Sequence, residues 1–320
     1  MPGLLTHHLL AGALADDLKG TVFEEPLDHC PEYLYLGAVF HDALFYVSSR
    51  EKGARFKRQG TRLHGLKGED TLFLPRGLLR EAAGEGRSGP EREPLLAFTA
   101  GLISHIAADT VFHPFVFYFS GPLSAPLTKL GHRRLETLMD LFFSRGQTRP
   151  VLLRSHLRRA GQGATKVFAL AGRCLVGEEE AVPFSRTMVR ALTRMGRTQV
   201  LFQTRPLAWL LFSLNPLLPR AVKEAIALAQ APQLGKYLTR LEGRHSYLHP
   251  VSGDREEAGL EELFVRAAAR TVSLARELVA SLEKGENGDQ GSIGPSLSTG
   301  LVGPDEGRMV HFSPVRLVGP

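Results

Sequence analysis

The sequence predicts an all-α fold, a compact bundle of many helices, and three observations carry that expectation. Apolar residues recur with a period near 3.6 through most of positions 1–283. Alternating strand patterns joined by hairpin turns are nearly absent. After Lys284 the composition turns to Gly, Ser, Asn, Asp and Pro, so 284–320 reads as a disordered tail. The expected organisation is one helical domain over 1–283, with the chemistry-bearing residues in 1–145 and a basic helical part over 146–283.

Each element follows from its own pattern. Leu9–Leu18 and Tyr33–Tyr46 place apolar residues at helical spacing. Gly60–Gly68 and Ala83–Pro94 read as loops, the second rich in Gly, Glu and Arg. Leu95–Phe119 is a long, very apolar run, and His132–Phe143 is a further helix. Helices continue to the amphipathic run Gly259–Leu282, rich in Ala, Leu, Glu and Arg. Within them Pro206–Pro219 is apolar and broken by proline. It reads as a kinked helix of the core, with a dip into a lipid interface, Trp209 at headgroup depth, as the alternative.

Composition narrows the classes. No run of about 18 apolar residues is expected to cross a membrane. The start, Met1-Pro2-Gly3-Leu4-Leu5-Thr6-His7-His8, lacks the basic region and cleavage site of a secretory signal, so a cytoplasmic location is expected. Two distant cysteines, Cys30 and Cys174, argue against a disulfide framework and read as reduced thiols. From Arg149 to Arg244 sixteen Lys/Arg stand against five Asp/Glu, an excess of eleven. That excess is either a solvated face or an attraction for phosphate-bearing partners, anionic lipid or nucleic acid.

The sharpest chemical signal is His105-Ile-Ala-Ala-Asp109-Thr-Val-Phe-His113-Pro114. Steps of four residues rotate by about 40°, so His105, Asp109 and His113 share one helix face. Their neighbours are apolar, and burying two imidazoles and a carboxylate there is costly unless something binds them. A metal ion would satisfy all three. His132 and Glu136, in Gly131-His132-Arg-Arg-Leu-Glu136, repeat the four-residue step. Together with His113 they would make three ligands and leave an open position, as catalytic zinc requires. His7, Asp42 and His64 are further candidates, each of which alone would be an ordinary surface or capping residue. His8, His29 and His41 are alternatives beside them, and His41 can simply pack or support Asp42. His156, His245, His249 and His311 have no metal-like context.

The order of these pieces resembles the zinc-dependent phospholipase C family. The resemblance is carried by Thr6-His7, Gly37-x-x-x-x-Asp42 before Leu44-Phe45-Tyr46, Leu63-His64, Gly101-x-x-x-His105-x-x-x-Asp109-x-x-x-His113-Pro114 and Gly131-His132-x-x-x-Glu136. A weaker echo lies at Tyr247-Leu-His-Pro250-Val-Ser-Gly253. Single-strand-specific zinc nucleases share the same site plan. The resemblance implies a compact all-α bundle holding two or three zinc ions at the floor of a cleft. It implies Asp42, His64, His105 and Asp109 around one zinc, and His113, His132 and Glu136 around a second. It implies His7, the N-terminal amine and a bridging Asp109 around a third. Asp42 would serve as ligand, as general base, or as both. The chain departs from the choline-preferring members in having Ala43 where they carry tyrosine, so no phosphatidylcholine preference is implied.

The expected activity is phospholipase C-like cleavage of a phospholipid head group by a zinc-activated water, and peripheral contact with an anionic membrane is a further expectation. A nuclease or nucleotide phosphodiesterase on the same metals is the alternative, and one Trp and six Tyr offer few stacking platforms for it. A phosphohydrolase reading His41-Asp42 as paired ligands would leave His113, His132 and Glu136 unused. The remaining alternative is a non-catalytic helical module that binds lipid or protein. The sequence does not speak to oligomeric state.

Overall fold

Leu4–Asp17 (α1), Glu24–His29 (α2), Pro31–Gly37 (α3) and Phe40–Ala43 (α4) open the chain, followed by Lys57–Leu63 (α5) and Phe73–Ala83 (α6). Gly89–Ser120 (α7) is the longest helix; Thr128–Phe143 (α8), Leu153–Val176 (α9) and Glu178–Gln203 (α10) follow it. Arg205–Leu214 (α11), Arg220–Ile226 (α12) and Leu260–Glu283 (α13) complete the helices. This computed structural model describes residues 3–50, 52–84, 86, 89–121, 128–145, 152–285, 293–303, 306–315 and 317. Among them the fold is all-α apart from one antiparallel hairpin, His245–Leu248 (β1) against Arg255–Ala258 (β2). The hairpin falls on the Tyr247–Gly253 stretch singled out in the sequence, and Tyr247 Oη donates to Glu256 Oε2 across it at 2.8 Å.

The axis of the bundle is α7. Its first half, from Leu95 to Ala107, lies in one apolar cluster with residues of α3, α6, α9 and α13. Its second half, from Ala108 to Phe119, lies in another with residues of α8, α13 and the hairpin. By length and apolarity α7 passes for a membrane span, contrary to the expectation that no run would. Yet 89% of its most apolar 18-residue window is buried inside the bundle, so its apolar surface is already covered.

Two glycines let α3 reach α7. A Cβ on Gly101 would lie 2.1 Å from the Leu34 carbonyl oxygen, and one on Gly37 would lie 2.1 Å from that of Phe98. Only glycine permits so close an approach, and it brings the end of α3 and the start of α4 over the His105 turn.

Several boundaries differ from expectation. The Tyr33–Tyr46 run is divided into α3, α4 and a 3₁₀ turn at Leu44–Tyr46. Helix α5 occupies the start of the expected 60–68 loop, where Gly60 packs its bare backbone against Leu44 and Phe45. Helix α7 begins at Gly89 rather than after Pro94, because Pro90 suits a helix start and Glu91, Arg92 and Glu93 are helix formers.

The expectation of disorder after Lys284 does not hold for residues 293–301. Leu297 is fully buried. Gly294 N–H donates to Asp70 Oδ1 at 2.7 Å, and Thr71 Oγ1 donates to the Pro295 carbonyl at 2.8 Å. The segment turns on a Gly300 N–H to Ser296 O bond of 2.8 Å, with Gly300 at φ +70°. It rests on α7 where Pro114, lacking an N–H, leaves the Thr110 carbonyl without its helical donor. A Cβ on Gly300 would come within 2.6 Å of that carbonyl.

Candidate metal centre

All eight residues marked in the sequence are buried: His7, Asp42, His64, His105, Asp109, His113, His132 and Glu136. Helix α7 supplies His105, Asp109 and His113 from one face, and α8 supplies His132 and Glu136. His7 comes from α1, Asp42 from α4, and His64 caps the C-terminus of α5.

They gather into two pockets. In the first, His105 Nε2 and His7 Nε2 each stand 3.3 Å from Asp109, on its Oδ2 and Oδ1 respectively. His64 Nε2 lies 3.4 Å from Asp42 Oδ1 and 3.9 Å from Asp109 Oδ2, and His105 Nε2 lies 3.8 Å from Asp42 Oδ1. Two overlapping triads have ligand atoms within 4.8 Å of one another: His7, Asp42 and His105, and His64, His105 and Asp109. The second pocket is the triad His113, His132 and Glu136, by the same measure, with His132 Nε2 2.9 Å from Glu136 Oε1. The N-terminal amine expected beside His7 lies outside the described residues.

The hydrogen bonds fix which ring nitrogen faces each pocket. His64 Nδ1 donates to the Gly60 carbonyl at 2.6 Å, His105 Nδ1 to that of Ala38 at 2.8 Å, and His113 Nδ1 to that of Leu297 at 2.5 Å. A carbonyl can only accept, so each Nδ1 bears a proton and Nε2 is the atom turned into the pocket. This is how metal-ligating histidines are held. The carboxylate oxygens they face are acceptors too. His7 Nε2, His105 Nε2, His113 Nε2, Asp42 Oδ1 and both Asp109 oxygens are buried without a hydrogen-bond partner. Buried polar atoms gathered at 3–4 Å with no hydrogen bond among them call for a cation between them, and the donor set of imidazoles and carboxylates suits zinc.

Electrostatics point the same way. Burial pushes His113 down to about 3 and holds His132 well below the ordinary imidazole value, so both are neutral at pH 7. Burial alone would raise Asp109, but His105 and His113 beside it hold it well below the usual carboxylate range. Burial likewise opposes charge on His105, and Asp109 and Asp42 outweigh it and raise its value. His105 is also sandwiched between the rings of His7, 4.2 Å away, and His41, 4.5 Å away. His41 thus packs on His105.

The profile of the family described as Zinc dependent phospholipase C matches residues 1–167, just over half of the chain. The chain belongs to that family. No curated protein and no solved structure matches it. Membership makes the chain, at the level of the family, a zinc-dependent phosphodiester hydrolase with a hydrolase fold that is all-helical. All eight residues of the two pockets fall inside the matched span, whereas the end of α9, α10 through α13 and the tail segment lie beyond it.

The surroundings of the two pockets are partly built from that remainder. A cavity of about 330 Å³ opens beside the pockets, with Asp42 and Glu136 both in its wall. Phe45, Met195, Phe202 and Leu228 give it an apolar side, and Arg133 and Gln199 a polar one. Asp140, which the sequence reading missed, lines its base and accepts from the Leu5 and Thr6 N–H groups and from Thr6 Oγ1. It thereby anchors the first turn of α1 and so the register of His7. The signal was available: His132, Glu136 and Asp140 repeat every four residues on α8. Leu297 was missed as well, because it acts through its backbone.

Proposed function

We propose that this zinc-dependent hydrolase cleaves the phosphodiester between the diacylglycerol and head group of a phospholipid. The observation that carries the reading is that both metal pockets meet one cavity through Asp42 and Glu136, and that the rest of its wall is largely apolar. A phosphodiester with a greasy ester on one side fits such a wall better than a polyanionic strand would.

Zinc, when bound in such pockets, supplies Lewis acidity toward phosphoryl oxygens and makes water a nucleophile near neutral pH. The protein's own groups do the rest. Burial would raise Asp42, but His105 and His64 beside it draw it below the ordinary carboxylate value, so it is ionised at neutral pH. In the cavity wall it is placed to take the proton of the attacking water. Asp109 faces His7 with one carboxylate oxygen and His105 with the other, each at 3.3 Å. Arg133, whose Nη1 donates to the Glu224 carbonyl at 2.8 Å, offers a fixed positive charge to the phosphate. Phe45, Phe202 and Leu228 receive the glycerol and upper acyl carbons.

The test is product analysis with zinc-loaded protein and a panel of short-chain phospholipids, beside single-stranded DNA and bis-p-nitrophenyl phosphate. Diacylglycerol and phosphorylated head group are the expected products. Turnover of DNA with none of any phospholipid would replace this reading with the nuclease one.

A further inference from the structure

The segment between α10 and the hairpin is not the core helix its sequence suggested. Of the α11 residues Arg205–Leu214 only Ala208 is buried. Trp209 is 53% exposed and Leu217 82%, with Leu210, Leu214 and Val222 exposed around them. Leu210 and Leu214 are four apart and share a helix face. Single exposed leucines are ordinary, but five large apolar side chains within fourteen residues make a patch that calls for a partner.

Two features select that partner. The first is charge: from Ala181 to Lys223 there are seven Lys/Arg and no Asp/Glu. Arg205 stands at one end of the apolar stretch, and Lys223 and Arg220, the latter paired with Glu224 at 3.0 Å, at the other. The second is position. Gln203, just before α11, and Ala225, on α12, both line the cavity that the metal pockets share. Phe202 lines it as well, and its carbonyl accepts from Gln230 N–H at 2.9 Å, closing the base of the segment. The patch therefore stands at the rim of the substrate cavity.

We propose that residues Arg205–Lys223 dock the protein on an anionic lipid surface, with Trp209, Leu210, Leu214 and Leu217 entering the interface and the flanking cations resting on headgroups. Membrane lipid would then reach the cavity from its own bilayer. Apolar insertion combined with attraction to anionic headgroups is the recognised basis of such binding, and tryptophan suits the interfacial depth. The proposal rests on the phospholipid reading of the site but is tested apart from it.

Trp209 is the only tryptophan in the chain and so reports directly on the patch. Zinc-loaded protein is mixed on ice with vesicles of equal parts phosphatidylglycerol and phosphatidylcholine, and with vesicles of phosphatidylcholine alone. Expected are a blue shift of Trp209 emission and co-sedimentation with the anionic vesicles, both weakened by added salt. Leu217→Asp with Leu214→Ser should lower partitioning at least about tenfold. Its thermal midpoint, and its rate on a monomeric short-chain phospholipid below micelle formation, should be unchanged. No blue shift and no sedimentation by the folded wild-type protein would overturn the proposal. So would a concentration-dependent dimer that hides Trp209, since the patch would then belong to a second copy. Vesicle binding without turnover of any phospholipid would leave docking in place and overturn the substrate reading instead.

Discussion

His113 Nδ1 donates to the main-chain carbonyl of Leu297 at 2.5 Å, across 184 positions of sequence. The N–H of the same Leu297 donates to the carbonyl of His64 at 2.9 Å. One tail residue thus touches a histidine from each pocket, and it does so with backbone atoms alone. Its neighbour Thr299 is held in turn, through its carbonyl, by His249 Nε2 at 2.9 Å. That places the otherwise unexplained His249 three links from the centre.

The clasp should be sensitive at Gly300. Its φ of +70° and the Thr110 carbonyl, 2.6 Å from where a Cβ would stand, both exclude a side chain. Gly300→Ala should cost about 1–3 kcal/mol of stability and weaken zinc at His113 by about 10–100-fold, the range for lost outer-shell support. Thermal unfolding and zinc titration of the variant measure both. An unchanged zinc affinity would show that the tail merely covers the site.

The two pockets should empty separately. His132→Ala should lower zinc content by one ion per chain while the Asp109 pocket stays loaded. Asp109→Asn should release metal from the first pocket and reduce hydrolysis by at least about a hundredfold. Elemental analysis of the two variants beside the wild type checks this.

Asp42→Asn separates proton transfer from metal retention. Hydrolysis should fall by about 10²–10⁴-fold, as expected on losing a general base, with the His113 pocket still filled. Rates measured at matched zinc content decide it; loss of zinc from both pockets would contradict the assignment.

Stability should fall on acidification for a reason outside the pockets. His8 is buried and pushed down to about 3, and His156, with its ring 5.6 Å away, to about 4. A histidine depressed in the fold binds its proton more readily when unfolded. The stability it contributes is therefore intact above about pH 6.5, the unfolded value, and is lost as pH falls toward the folded one. His156→Phe should make the decline in melting temperature between pH 7 and pH 5 shallower. A decline as steep as in the wild type would show that His156 contributes nothing to it.

Much of this was legible in the sequence because it is written in side-chain spacing. His105, Asp109 and His113 recur every four residues, and a helix turns that into one face. The all-helical class follows from the same period. What escaped detection is made of backbone or of burial. The Leu297 clasp uses an N–H and a carbonyl in a Gly/Ser/Pro stretch with no apolar rhythm. The Gly37–Gly101 contact is written only as missing side chains. Helix α11 has the composition of a core helix, and only the folded chain shows that too little of the bundle reaches it to cover it.

The central claim is that imidazoles and carboxylates from α1, α4, α5, α7 and α8 share divalent zinc. The most direct measurement is the zinc content of the purified, folded protein, repeated after chelation and refilling. Two or more ions per chain, with a melting temperature that falls on chelation and returns with zinc, is the predicted result. A folded chain that takes up no zinc and melts at the same temperature with or without it would contradict the account.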